Sequence, residues 1–105
     1  MQVPEGRCAG SYCDDRICVR VDGSSLRVVK VSASVAQNGD FSGFFHIYGG
    51  GVDRTSQTQF WGPQDTYEIH VGRDLPNGSL LCAEGWEKFG DRFELRGRPC
   101  MEIRF

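Results

Sequence analysis

Apolar and polar residues alternate along most of this chain with a period of two, the spacing that sends successive side chains to opposite faces of a β-strand. RICVRVD puts Ile17, Val19 and Val21 on one face and Cys18, Arg20 and Asp22 on the other. After the turn GSS, LRVVKVSASVA sets Val29, Val31, Ala33 and Val35 against Val28, Lys30, Ser32 and Ser34. QNGD supplies an Asn-Gly turn, whose residues tolerate positive φ, and leads into FSGFFHIYG, so a hairpin is predicted from Leu26 to Tyr48. TYEIHVG alternates again, with Tyr67, Ile69 and Val71 opposite Thr66, Glu68 and His70. PNGS, GD and GRP then bound LLCAEGWEKF, RFELR and CMEIRF, the last with Met101, Ile103 and Phe105 on one side.

No long segment carries a 3.6-residue apolar period. About seven short strands separated by turn signals predict an all-β chain, an antiparallel two-sheet sandwich of the immunoglobulin-like or a related type, held by disulfides. Residues 1–15 precede the first strand and read as an N-terminal arm, which leaves 16–105 as a single sandwich domain.

Between the hairpin and TYEIHVG, the stretch GGGVDRTSQTQFWGPQD from Gly49 to Asp65 has no persistent period and predicts one long irregular loop. Within it Phe60 and Trp61 stand side by side among polar residues. One ring turned inward would plug the core, and one left outside would offer a flat amphipathic surface to a sugar ring or a protein pocket. Tyr48 at the loop entrance and Arg54 inside it are the expected neighbours, so binding is expected at Tyr48, Arg54, Phe60 and Trp61. GGGVD brings Asp53 as an oxygen ligand, but one Asp without an oxygen-rich cluster makes a poor calcium site.

Composition narrows the partners. The formal net charge is −2 and the 12 basic residues are scattered, which leaves no electrostatic footprint for nucleic acid or an anionic membrane surface. No apolar run approaches the ~20 residues that span a bilayer, and MQVPEGRC lacks the charged and apolar regions of a signal peptide. The 5 cysteines in 105 residues nevertheless point to a disulfide framework, hence to a secreted, extracellular protein whose Met1 stands before a mature sequence.

Cys82 and Cys100 both fall on the outer phase of their strands and are expected to pair. Cys18 can close a short loop with Cys13 or with Cys8; the expected bridge is Cys13 to Cys18, with Cys8 left unpaired, free or used in an intermolecular bond. The repeated Cys-x4-Cys spacing does not match the knuckles of structural zinc, and no metal or other cofactor is expected.

Catalytic patterns are thin. His46 and His70 sit mid-strand and would form a cluster with Glu68 only if their strands were neighbours; without an H-E-x-x-H spacing they read as separate strand histidines. There is no G-x-S-x-G, P-loop or G-x-G-x-x-G. Carboxylates pair at Asp14 and Asp15, and Glu84 and Glu87 flank Trp86 in the manner of a sugar-cleaving site. A sandwich this small has little room for a deep cleft, so these read as surface charges partnering Arg92, Arg96 and Arg98. The expectation is a secreted, non-enzymatic module that binds another secreted protein as an adaptor, an accessory subunit of an extracellular or toxin-like assembly, or an inhibitor. A carbohydrate-binding module stacking polysaccharide on Trp61 and Trp86 is the alternative, and a small hydrolase built on Glu84, Glu87 and the histidines the third.

Overall fold

The computed structural model describes residues 10–24 and 27–103, so Cys8 and Phe105 lie outside the described residues. Ten strands follow in order: β1 (Gly10–Cys13), β2 (Ile17–Ser24), β3 (Arg27–Val35), β4 (Phe41–Gly49), β5 (Val52–Thr55), β6 (Gln59–Trp61), β7 (Thr66–Asp74), β8 (Ser79–Phe89), β9 (Arg92–Gly97) and β10 (Cys100–Ile103). They form two antiparallel sheets packed face to face. The first has the order β1-β2-β3-β7; in the second, β4 and β8 lie side by side at the centre. β5 and β6 share the far edge of β4, and β9 and β10 share the far edge of β8.

The alternation produces the core directly. Ile17, Val19, Val21, Val31, Ala33 and Ile69 face Phe41, Phe45, Ile47, Leu81, Ala83, Met101 and Ile103 across the sandwich, all buried. β4 and β8 approach so closely that a Cβ on Gly43 would lie 1.8 Å from the Trp86 carbonyl oxygen, which explains a glycine in a central strand.

Four expectations are corrected. The described residues form ten strands where about seven were expected, because residues 10–13 of the expected arm pair with β2 as β1, and because the expected loop from Gly49 to Asp65 contains β5 and β6. The hairpin from Leu26 to Tyr48 does not form: both edges of β3 are taken by β2 and β7, and β4 belongs to the other sheet. The turn itself is present, with Gly39 N–H donating to the Ala36 carbonyl over 3.0 Å, but its positive-φ residues are Gln37 and Asn38, one place earlier than the Asn-Gly pair. In β3 the pairing slips between Val28 and Lys30, so Val28 is buried and Val29 is 47% exposed, the reverse of a strict alternation.

Disulfides join Cys13 to Cys18 and Cys82 to Cys100, in each case residues directly opposite one another on paired strands. Two intramolecular disulfides fit an oxidising compartment. Asp14, in the turn closed by the first bridge, is a structural residue and not half of a carboxylate pair. Its Oδ1 accepts the Arg16 and Ile17 N–H groups, and its Oδ2 accepts the Arg98 N–H over 2.8 Å, tying one sheet to the other.

Candidate functional site

Pairing register decides which side chains share a face, and it makes the two outer faces of the sandwich unlike. On the first sheet Arg20, Asp22, Lys30, Ser32, Ser34, Glu68 and His70 point outward, a mostly polar surface with ion pairs such as Lys30 to Glu68 at 3.6 Å, interrupted by the Cys13–Cys18 bridge and the exposed Val29. On the second, the outward phase of β4 is Ser42, Phe44, His46 and Tyr48. Phe60 stands opposite Ser42, Trp86 opposite Phe44 with Leu95 beyond it, Glu84 opposite His46, and Cys82 with Cys100 opposite Tyr48.

This face has three zones. At one end the Phe44 ring lies 6.3 Å from the Trp86 ring, nearly parallel, and 5.0 Å from Phe93, edge-on. Phe60, Phe93 and Leu95 around them are exposed. At the other end Tyr48, Leu80, Arg98 and the Cys82–Cys100 bridge line a depression of about 370 Å³.

Between them lies a charged cluster. The His46 Nδ1 is 3.1 Å from Glu84 Oε1 and its Nε2 is 2.7 Å from Asp53 Oδ1. Glu84 also accepts the Trp86 indole N–H over 3.0 Å and faces Arg98 Nη1 at 3.7 Å. Carboxylate oxygens only accept, so the imidazolium, with both nitrogens protonated, is the form that satisfies both contacts. Burial works against that charge, but the hydrogen bonds and charges of Asp53 and Glu84 outweigh it and raise the His46 pKa above its ordinary value. Burial likewise penalises the Glu84 carboxylate, and the hydrogen bonds from Trp86 and His46 overcome it and lower the Glu84 pKa.

The two shifts set a pH window. A raised His46 pKa stabilises the fold fully below the ordinary value of 6.5, and the contribution is lost as pH rises through the raised value. A lowered Glu84 pKa stabilises it above 4.5, and that contribution is lost as pH falls through the lowered value. Stability is therefore expected to fall as pH rises from mildly acidic to alkaline values. Denaturant titrations should show the fall in the parent protein and not in His46→Gln; an equal fall in both would place the titrating group elsewhere.

The residues singled out in the sequence separate. Phe60, at 58% exposure, and Tyr48 share the outer face of the second sheet, about 20 Å apart along β4. Trp61 is in the core at 4% exposure, its indole N–H donating to the Gly43 carbonyl over 3.0 Å, so it offers no stacking platform. Arg54 lies opposite Ile47, on the other phase of β5. His46 and His70 are on different sheets, so no cluster with Glu68 unites them, although His70 Nε2 is 3.6 Å from Glu68 on its own strand. Glu87 pairs with Arg96 at 2.8 Å and Glu84 faces Arg98, as expected of surface charges, but Glu84 is 8% exposed and is no surface group; Arg92 pairs with Glu94. The contact of His46 with Glu84 and Asp53 was not foreseen. Both His46 and Glu84 lie on the outer phase of their strands, and only the adjacency of β4 and β8 was missing.

No protein-family model matches the chain, and neither a curated protein nor a solved structure does. Among the described residues no helix is long and apolar enough to cross a membrane.

Proposed function

We propose that this protein is a secreted, non-enzymatic module that binds another protein through the outer face of its second sheet. The observation that carries this is the contrast between the two outer faces: one mostly polar, with no Phe, Tyr or Trp among its described residues, the other bearing Phe44, Phe60, Trp86, Phe93 and Leu95 beside a depression at Tyr48 and Leu80. Exposed apolar surface gathered on one side and bordered by charge is the composition of a protein-binding patch. Leu80 and Leu95 favour a protein over a sugar, because pyranose rings stack on aromatic planes and gain little from branched aliphatic groups. Burial of Trp61 also removes one of the two indoles on which the carbohydrate reading depends.

Catalysis has less support. The Glu84 carboxylate is committed to His46, Trp86 and Arg98, and Glu87 to Arg96, so neither stands free over a cleft as an acid or base. Secretion rests on the two disulfides.

The test is retention of secreted proteins from the source on immobilised protein. Phe93→Ala and Leu95→Ala each remove exposed side chains and are expected to cut retention of a partner about tenfold, whereas Ser32→Arg on the polar face leaves it unchanged. Equal losses from both faces would defeat this reading, as would Phe93-dependent depletion of the protein by insoluble polysaccharide.

A further inference from the structure

A second feature lies away from that face, on the open side of the sandwich. β7 ends the order of the first sheet, and among the described residues no strand pairs with its outer edge. The edge is nine residues long, Thr66–Asp74, and faces β5 of the other sheet across a groove of about 220 Å³. Val52, Ile69 and Val71 form its apolar part, and Arg54, His70 and Arg73 line it as well.

Among the described residues the Arg54 and Arg73 guanidinium groups have no ion pair or hydrogen bond, whereas Arg20, Lys30, Arg92, Arg96 and Arg98 each sit on a carboxylate; Arg16 and Lys88 also lack an ion pair but do not line this groove. The one carboxylate lining the groove, Asp53, is held by His46 at 2.7 Å. Gly51, which lines the groove beside the Arg73 guanidinium, has φ +88°, a backbone conformation that favours glycine. Uncompensated positive charge beside an apolar floor and a row of unpaired backbone groups specifies its occupant by chemistry. An extended strand satisfies the backbone, and its groove-facing phase, the one it shares with Ile69 and Arg73 and turns toward Val52 and Arg54, sets carboxylates against the guanidinium groups with an apolar side chain between them over the floor.

We propose that the groove between β5 and β7 binds an extended acidic segment of a partner protein, which adds as a strand to the free edge of β7 and sets its carboxylates on Arg54 and Arg73. This site is separate from the outer face of the second sheet and does not depend on what that face binds.

The probe is a fluorescein-labelled peptide, Gly-Asp-Ser-Val-Ser-Asp-Gly, whose two Asp and one Val share a phase, compared with its counterpart carrying Lys for Asp, against the whole protein. The acidic peptide is expected to bind saturably and the basic one not. Binding should weaken as salt is raised and fall about tenfold or more in Arg54→Glu with Arg73→Glu, while Phe93→Ala leaves it unchanged. Hydrogen exchange should show β7 amides gaining protection with the acidic peptide. Equal binding of both peptides, binding retained in the double variant, or no protection along β7 would each overturn the proposal. So would competition by inorganic phosphate at constant ionic strength without β7 protection, which would reassign the arginines to a free oxyanion. A concentration-dependent dimer whose β7 amides are protected before any peptide is added would give the edge to a second copy and overturn it likewise.

Discussion

Phe45→Ala is expected to lower the free energy of unfolding by about 4 kcal/mol, a large fraction of the roughly 5–15 kcal/mol available to a domain of this size. The side chain is fully buried on a central strand, its ring 5.3 Å from Phe41 and 4.9 Å from Trp61. The surroundings limit how far the space can close. Trp61 is anchored by its hydrogen bond to Gly43, and the Phe45 backbone exchanges hydrogen bonds of 2.9 Å with Ser56, through both its hydroxyl and its N–H. A cavity that cannot collapse carries the full penalty of lost contacts as well as lost transfer energy. Urea unfolding followed by tryptophan fluorescence measures it; a loss below about 1 kcal/mol would mean that the rings relax more than this packing allows.

Removing the Cys82–Cys100 bridge by alanine at both positions is expected to cost about 3 kcal/mol, against about 2 kcal/mol for the Cys13–Cys18 bridge. The order follows from loop length, 18 residues of separation against 5. Context acts in the same direction. β10 is a four-residue strand paired, among the described residues, only to β8, yet it delivers Met101 and Ile103 to the core, so its release would uncover both. Denaturation midpoints of the two double variants, measured without reductant, decide the ranking. A larger loss from the Cys13 and Cys18 variant would show that chain entropy does not control the difference.

Much of this molecule was legible in the sequence because alternation is a local signal. Ile17, Val19 and Val21, or Tyr67, Ile69 and Val71, declare a strand and its inner face without knowledge of the partner. The outer phase of Cys82 and Cys100 was equally plain. Information that is not local was hidden. The slip beside Val28 exchanges the faces of two valines, and nothing in RVVKV distinguishes a bulge from a regular strand. QNGD has turn chemistry, but whether the next strand pairs with the last depends on competition from β7, which lies 30 residues on from Asn38 or thereabouts and wins the edge of β3. β5 and β6 are only four and three residues long, too short to display a period. The site shows the same limit: His46 and Glu84 each occupy a readable phase, while their meeting requires the register of β4 on β8.

The divided borders of the second sheet have a bearing on solubility. Because β5 and β6 interrupt one border and β9 and β10 the other, no unbroken template is presented there for a stray chain to copy. Cross-β growth from a crowded solution would have to start at the first sheet, which makes gatekeeper charges along TYEIHVG the economical place to suppress fibrils in a concentrated preparation.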